Sequence, residues 1–257
     1  MNNYAQLSVT GNYRTENQDK TGVFLSEDVG FFVLCDGMGG HYGGALASNI
    51  TVNTFNQRFH NTLPLAENNI NSYVAWFKTT VEIAKQEMTK LGENDEAKLD
   101  MGTTVTAAIF SNKEKFLYIF NIGDSRTYVI KKEGDLEQIT VDHNLLNRLI
   151  REEGFSELKA KKVHYFTALT SALGPQKKTK IEVFDLSYEF DNISGLLATS
   201  DGVHGFIDKP SMEMILKKNI EPQEKVELLV NNALENNSTD NASAIFIELN
   251  KNSEWSE

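Results

Sequence analysis

Four short acidic motifs, each at or near the end of an apolar, strand-like run, constrain this chain most. They are R-T-E-N-Q-D at 14–19, C-D-G-M-G-G-H at 35–41, T-S-D-G at 199–202 and T-D-N at 239–241. Asp36 follows the run G-F-F-V-L-C, and Asp201 follows G-L-L-A-T-S. Carboxylates that distant strands present together form an oxygen-only cage suited to hard divalent cations such as Mg²⁺ or Mn²⁺. The pattern therefore predicts a metal-dependent hydrolase.

Hydrophobic periodicity predicts a mixture of strands and helices. Apolar and alternating runs predict strands at 5–10, 20–25, 30–35, 103–110, 115–121, 125–131, 180–186, 194–198 and 242–249. Apolar residues near helical spacing predict helices at 44–59, 69–91, 211–218 and 222–236. The segment from 145 to 165 is less regular.

The order of these elements favours an α+β layered fold. Strands come in consecutive runs instead of alternating with helices, which disfavours a parallel βαβ fold. The three strands between 103 and 131 predict an antiparallel meander, joined by turns at S-N-K-E and I-G-D. We find no repeat or linker, so residues 1–250 are predicted to form one domain, with 251–257 as a frayed tail.

The composition is that of a globular cytoplasmic protein. The chain of 257 residues is 40% hydrophobic and 10% aromatic, and no window approaches the roughly 18 apolar residues of a membrane span. The start, M-N-N-Y-A-Q-L-S, lacks the basic and apolar regions of a signal peptide. Cys35 is the single cysteine, which excludes an intrachain disulfide and fits a reducing cytosol.

The charge of the chain is unevenly distributed. A net charge of -11 argues against nucleic acid as a partner, because phosphate backbones require clustered Lys and Arg. The segment 145–180 nevertheless carries eight Lys and Arg residues against three Glu. Two interpretations of this segment remain, a solvated surface helix and loop or a functional surface.

Taken singly, the motifs are weak. D-G is a common turn dipeptide, so Asp36 or Asp201 alone would predict only a turn. The G-M-G-G loop lacks the spacing of phosphate-binding loops. A thiolate phosphatase would need an Arg six positions after Cys35, where His41 stands. The sequence contains no G-x-S-x-G and no H-E-x-x-H, so serine-hydrolase and zinc-protease chemistries have no support.

Together, the motifs resemble one family. In chain order they are R-x-x-N-Q-D (14–19), D-G-M-G-G-H (36–41), G-T-T (102–104), G-D-S-R (123–126), D-H-N (142–144), L-T-S-A-L-G (169–174), S-D-G (200–202) and D-N (240–241). This order resembles the metal-dependent serine/threonine protein phosphatases of type 2C, the bacterial branch in particular, from residue 11 to about 247. The resemblance implies a central antiparallel β-sandwich flanked by helical layers, with a flap at about 145–165.

The resemblance also implies a set of metal ligands. Asp36 would bridge two Mn²⁺ or Mg²⁺ ions, and the carbonyl of Gly37 would be a further ligand. Asp201 and Asp240 would hold one ion. Asp124, together with Asp201, would build the third-metal site of bacterial members.

Two further residues are assigned by the resemblance. Asp19 would sit beside the metals and order their bound waters. Arg14 would bind the substrate phosphate, for which its bidentate guanidinium is well suited. Two cations roughly 3.5–4 Å apart would neutralise the phosphate monoester and activate a water, so no covalent phosphoenzyme is required.

Three positions depart from the family pattern or extend it. Met38 stands where eukaryotic members carry a His proposed as the general acid, although bacterial members often have Met there. A metal-bound water would then protonate the leaving group. Ala45 replaces an expected acidic residue. His204 follows S-D-G and is expected near the metals, as a candidate for ordering water.

The leading hypothesis is a monomeric phosphatase that acts on phosphoproteins opposite a cognate Ser/Thr kinase. Its basic flap would steer acidic phosphoprotein surfaces towards the metals. The alternative is a catalytically weak pseudophosphatase that binds phosphoproteins, although loss of a ligand Asp is its usual signature and none is missing here. A phosphodiesterase or nuclease is disfavoured by the acidic charge.

Overall fold

Strands and short turns dominate the middle of the chain, two long helices follow the second acidic motif, and a shorter helix precedes the last one. The computed structural model describes residues 3–39, 43–64, 69–93 and 95–249. The strands are β1 (Tyr4–Val9), β2 (Lys20–Leu25), β3 (Gly30–Cys35), β4 (Gly37–Met38), β5 (Gly102–Thr103), β6 (Val105–Ser111), β7 (Phe116–Ile122), β8 (Arg126–Lys131), β9 (Leu136–Gln138), β10 (Glu182–Asp185), β11 (Ile193–Thr199) and β12 (Ala242–Glu248). The helices are α1 (Gly43–Thr62), α2 (Ile70–Glu93), α3 (Leu145–Arg151), α4 (Glu157–Ala160), α5 (Asp201–His204), α6 (Lys209–Leu216) and α7 (Pro222–Glu235).

The main strands form two five-stranded antiparallel sheets. One sheet has the order β1-β12-β11-β8-β9, and the other has the order β10-β7-β6-β3-β2. A separate two-stranded pair joins β4 to β5. Both main sheets therefore mix strands from distant parts of the chain, which brings the ends of β3, β11 and β12 within reach of one another.

Strand β3 shows how one run of apolar residues serves two cores. Its side chains alternate between the two faces of the sheet. Phe32 and Leu34 pack into the core between the sheets, whereas Phe31, Val33 and Cys35 pack against the helices outside. A strand buried on both faces is apolar throughout, which is why G-F-F-V-L-C lacks an alternating polar pattern.

Helices cover the outer face of each sheet. On one side, α1 and α2 pack through aromatic side chains: the rings of Phe77 and Phe120 stack with centroids 4.2 Å apart, and Phe55 lies 5.0 Å from Phe77. On the other side, α7 buries Val226 and Val230 in a cluster that includes Phe246 of β12. The predicted α+β sandwich with helical outer layers is confirmed.

The predicted meander is wrong at its second turn. Strands β6 and β7 pair as expected, but β8 pairs with β11 and β9 in the opposite sheet. The link at Gly123 crosses between the sheets with a positive φ of 104°, which glycine adopts without strain. This route lets both strands contribute to one core, since Ile119 of β7 and Val129 of β8 belong to the same buried cluster between the sheets.

The remaining differences are short elements that carry little periodicity. The strands β4, β5 and β9 and the helix α5 were not predicted, since each has between two and four residues. The segment 145–165 contains the short helices α3 and α4. The predicted tail at 251–257 lies outside the described residues. Within those residues, no helix is both long and apolar enough to cross a bilayer.

Candidate metal centre

The backbone at Asp36 is fixed by the neighbouring strands. Its N–H donates to Oγ1 of Thr104 at 2.9 Å. Its carbonyl accepts from the N–H of Thr104 at 2.8 Å and from Oγ1 of Thr103 at 2.9 Å. These bonds use both backbone groups of Asp36, so the residue is held firmly while its carboxylate faces a cavity.

Gly37 allows the chain to pass close to the start of α1. Its N–H donates to the carbonyl of Gln18 at 3.1 Å. A Cβ on Gly37 would collide with the backbone carbonyl of Gly44. The sequence D-G is thus more than a turn here, because only glycine fits between the first acidic loop and the helix.

Asp201 and Asp240 come from the ends of neighbouring strands. Asp201 begins α5 two residues after the last residue of β11, and Asp240 lies two residues before the first residue of β12. A Cβ on Gly202 would collide with the backbone carbonyl of Asn241. This close backbone approach places the two carboxylates on the same side of the sandwich.

Asn241 attaches the first acidic loop to this strand end. Its Oδ1 accepts from the N–H of Gln18 at 2.8 Å. Its Nδ2 donates to the carbonyls of Thr10 and Glu16 at 2.8 and 2.9 Å. Because the loop between these residues contains Arg14, Asn241 positions the guanidinium near Asp240. The D-N motif is visible in the sequence, but this role of its Asn depends on contacts with residues more than 220 positions away.

Arg14 and Asp19 occupy different positions around the cavity. Arg14 lines it and donates from Nη2 to Oδ2 of Asp240 at 2.5 Å. Asp19 is buried behind it, and its Oδ2 accepts from Oγ of Ser200 at 2.8 Å and from Oγ of Ser243 at 2.6 Å. Asp19 thus lies beside the cavity and is held by hydroxyl groups from two strand ends.

One cavity of about 300 Å³ gathers most of the predicted site. It has room for several water-sized groups, since a water molecule occupies about 30 Å³ in the liquid. Its walls are Arg14, Gln18, Asp36, Gly37, Met38, Gly39, Thr104, Asp124, Leu169, Asp201 and Asp240. Of the seven predicted site residues, the structure brings six into this lining and places Asp19 beside it.

Burial and mutual repulsion raise the pKa values of the carboxyl groups. For the pKa values of Asp19, Asp36, Asp124 and Asp201, burial is the largest cause, and neighbouring carboxylates add to it. For Asp36, whose pKa is raised well above its usual value, the neighbours are first Asp19 and then Asp201. The pKa of Asp124 is raised to about 7 by burial and by Asp201, and that of Asp201 is raised by burial and by Asp240. The cavity thus holds more negative charge than Arg14 alone can balance.

The donor set fits hard divalent cations. Oδ1 of Asp201 is buried and has no hydrogen-bond partner, and an unpaired buried carboxylate oxygen is costly without a counter-charge. The side chains in the cavity offer oxygen ligands, as Mg²⁺ and Mn²⁺ prefer. Among the described residues, no three Asp, Glu, His or Cys side chains already form a closed ligand cage. The carboxylates share one cavity instead of meeting at one point.

Cys35 and His204 have other surroundings. Cys35 is buried in the core beneath α1, and burial raises the pKa of its thiol. The Nδ1 atom of His204 pairs with Oγ1 of Thr199 at 2.9 Å. Burial and then Arg126 lower the pKa of His204 well below its usual value. His204 was expected near the metals, but its side chain is not part of the cavity lining.

The sequence matches a family model described as "Protein phosphatase 2C" over residues 13–237. The chain belongs to the protein phosphatase 2C family. The family prediction is thereby confirmed, and with it the class of enzyme, a metal-dependent protein phosphatase.

Similar proteins cover nearly the whole chain. The serine/threonine phosphatase stp of Listeria innocua is 29% identical over 241 residues, which are 93% of this chain and 93% of that protein. The structure of serine/threonine phosphatase Stp1 from Staphylococcus aureus has a TM-score of 0.82 at 27% identity, covering 98% of this chain and 96% of that chain. The catalytic domain of phosphatase PstP, solved with 2 manganese ions, has a TM-score of 0.75 at 23% identity, covering 95% of this chain and 96% of that chain. This last likeness shows the fold alone.

The raised pKa values predict how the stability of the metal-free protein depends on pH. An unfolded Asp has a pKa of about 3.9, whereas Asp19 and Asp124 in the folded protein have pKa values of about 7. Between these values the folded state binds more protons than the unfolded state. The contribution of these groups to stability therefore falls as pH rises from about 4 to 7 and stays low above that.

Removing one carboxylate from the cavity should lessen this loss of stability at high pH. In chelator, Asp36→Asn should raise the melting temperature relative to wild type, and by more at pH 8 than at pH 5. Asp185→Asn, which changes an exposed carboxylate outside the cavity, should have little effect at either pH. A destabilised Asp36→Asn protein at pH 8, or a gain independent of pH, would contradict the repulsion that we describe.

Proposed function

We propose that this protein hydrolyses phosphoserine and phosphothreonine in phosphoproteins, with a metal-activated water at a dinuclear Mn²⁺ or Mg²⁺ centre. The observation that supports this most is one cavity that combines Asp36, Asp124, Asp201 and Asp240 with Arg14. One relative is named serine/threonine phosphatase stp and another protein phosphatase PhpP, and a protein of the same fold was solved with 2 manganese ions.

Asp36, Asp201 and Asp240 would hold the two cations, with the carbonyl of Gly37 as a further ligand. Asp124, with Asp201, would take a third, and Asp19 would hold the waters beside them. When bound, divalent cations neutralise the charge of a phosphate monoester and lower the pKa of a water molecule. The firmly bonded backbone of Asp36 keeps its carboxylate in place.

Arg14 would bind the phosphate of the substrate. In the structure its guanidinium donates to Asp240, and the same donors suit the equatorial oxygens of a phosphoryl group. Arg14 can exchange Asp240 for the phosphate once that carboxylate serves as a metal ligand. The side chain of Arg14 is 53% exposed, which leaves it free to move between the two partners.

Attack by water fits the cavity better than a covalent phosphoenzyme. The only hydroxyl in the described lining belongs to Thr104. Its Oγ1 accepts from the N–H of Asp36 at 2.9 Å and pairs with Oγ of Ser125 at 2.7 Å. A hydroxyl engaged in both of these hydrogen bonds is a poor nucleophile.

The remaining parts of the proposal concern the whole molecule. Residues 1–250 would form the catalytic domain, with a flap at about 145–165. The protein would act as a cytoplasmic monomer, opposite a cognate Ser/Thr kinase. Met38 lines the cavity and offers no acidic proton, so the leaving oxygen would take its proton from a water molecule.

Metal removal and substrate class test the function directly. The purified protein should release phosphate from a phosphothreonine peptide with Mn²⁺ or Mg²⁺, and excess chelator should abolish turnover. A phosphodiester, which carries one negative charge fewer, should be hydrolysed far more slowly. Asp36→Asn and Asp240→Asn should each lower kcat by orders of magnitude, whereas Asp185→Asn should keep the wild-type rate.

Three results would contradict the proposal. Turnover that persists without metal would exclude the metal centre. Wild-type rates in both cavity variants would show that the site is elsewhere. Binding of phosphopeptide with no turnover in any metal would favour the pseudophosphatase.

Arg14→Ala should weaken the binding of phosphate monoesters. The loss of a charge-assisted hydrogen bond corresponds to about 1.5–3 kcal/mol, and we expect the lower end because the side chain is about half exposed. The value of KM for a small aryl phosphate should rise about tenfold, while the affinity for Mn²⁺ should hardly change. Arg14→Lys keeps the charge but loses the bidentate geometry, so its KM should lie between those of the wild type and Arg14→Ala. A variant that loses Mn²⁺ and keeps its KM would give Arg14 a structural role instead.

A further inference from the structure

A second cavity adjoins the metal centre. This cavity, which we call the basic pocket, has a volume of about 220 Å³, and its lining includes His143, Arg148, Arg151, Leu169, Lys178 and Lys180. Leu169 lines the basic pocket and the metal cavity alike. Leu169 therefore lies in the wall between the two cavities, so a substrate bound at one of them extends towards the other.

The cations of the basic pocket are largely available to a ligand. Within the described part of the chain, Arg151 and Lys178 make no ion pair, and Arg148 makes only a long one to Glu153 at 3.8 Å. All three side chains are exposed. The protein as a whole carries a net charge of -11, which is sufficient for solubility. A need for solubility therefore does not explain unpaired cations next to an acidic centre.

The acids of the same lining are mostly engaged. Asp142 accepts from Nε and Nη2 of Arg126 at 2.9 and 2.7 Å. Glu182 accepts from Nζ of Lys180 at 2.8 Å and faces Nε2 of His143 at 3.2 Å. Glu152, on the exposed rim, is the remaining carboxylate. The pocket therefore presents a net positive surface to an incoming group.

The wall between the two cavities is well fixed. Residues Asn144 and Leu169 form a β-bridge, and the N–H of Thr170 donates to the carbonyl of His143 at 2.8 Å. The Nδ1 atom of His143 accepts from the N–H of Gly123 at 3.1 Å, next to the metal-site residue Asp124. The two cavities thus keep a constant separation, as a pair of subsites requires.

We propose that the basic pocket binds a second anionic side chain of the substrate, phosphorylated or acidic, close in sequence to the phosphoserine or phosphothreonine that is hydrolysed. This inference rests on the proposed function and adds a substrate class to it. An extended peptide advances about 3.3 Å per residue. Two side chains about two to four residues apart therefore suit two cavities that share the lining residue Leu169. Cations that are exposed bind an anion with modest strength, which suits selection among substrates.

The other basic residues of the segment 145–180 are arranged differently. Nζ of Lys159 lies 3.8 Å from the ring centroid of Phe155, and Lys161 pairs with Glu157 at 2.6 Å. Neither of them, nor Lys162, lines the basic pocket. These lysines contribute to the long-range field but not to the proposed subsite, and they provide a control of equal charge.

The test compares phosphothreonine peptides that differ at one position, three residues before or after the phosphothreonine. That position holds Ala, Glu or the phosphonate analogue of phosphoserine, whose C–P bond is not hydrolysed. With Mn²⁺, the wild-type kcat/KM should be about three- to tenfold higher for a charged peptide than for the Ala peptide, as expected for two exposed ion pairs. Preference for the phosphonate alone would assign a second phosphorylated residue, and equal preference for Glu would assign an acidic one.

Three double variants locate the effect, and the two that introduce Glu change the net charge equally. Arg151→Glu with Lys178→Glu should reduce the ratio of the two kcat/KM values to about one, and Arg151→Gln with Lys178→Gln should reduce it in the same direction. Lys161→Glu with Lys162→Glu should keep the wild-type ratio. Because each ratio compares two substrates on one preparation, it does not depend on the fraction of folded enzyme.

The following results would overturn the inference. A wild-type ratio near one at both positions would show that the pocket selects nothing. An equal loss of the ratio in the Lys161/Lys162 variant would assign the preference to the general field of the protein. A wild-type protein that hydrolyses the Ala peptide but shows no preference leaves the proposed function intact, whereas one that hydrolyses no peptide overturns both.

Discussion

Repulsion among carboxylates that share one partly buried cavity is the constraint on which the rest of this structure depends. Asp36 is surrounded by Asp19, Asp201 and Asp124, and burial together with these charges raises its pKa. Such a cluster costs stability unless a counter-charge is present, and Arg14 supplies only one. Divalent cations would remove this cost, so the feature that weakens the metal-free fold is the same one that would give the metal centre its affinity.

The sandwich can tolerate this cost because its packing does not involve the charged residues. Two apolar clusters beneath the helices and a third between the sheets are separate from the cavity. At the cavity itself, backbone contacts replace side-chain packing: Asn241 holds the first acidic loop through three hydrogen bonds, and Gly202 brings two strand ends together. The site is therefore positioned by the backbone and remains free to bind ions through its side chains.

Much of this arrangement could be predicted from the sequence, for identifiable reasons. Runs such as G-F-F-V-L-C are long enough to indicate a buried strand, and the acidic motifs lie at the ends of such runs, so Asp36 and Asp201 could be assigned together. The crossing at Gly123 could not be predicted, because a G-D turn fits a hairpin and a link between sheets equally well. The positions of Asn241 and of the basic pocket depend on contacts between distant segments, which local patterns do not contain.

The central claim is that carboxylates from both sheets form one centre for two divalent cations. Anomalous diffraction from crystals grown with Mn²⁺, recorded at the manganese edge, tests it most directly. We predict at least two peaks in the cavity, with the carboxylate of Asp36 between two of them and Asp201 and Asp240 bound to one of these ions. Manganese peaks only outside the cavity, or a fully loaded crystal in which Asp36 contacts no ion, would contradict the account.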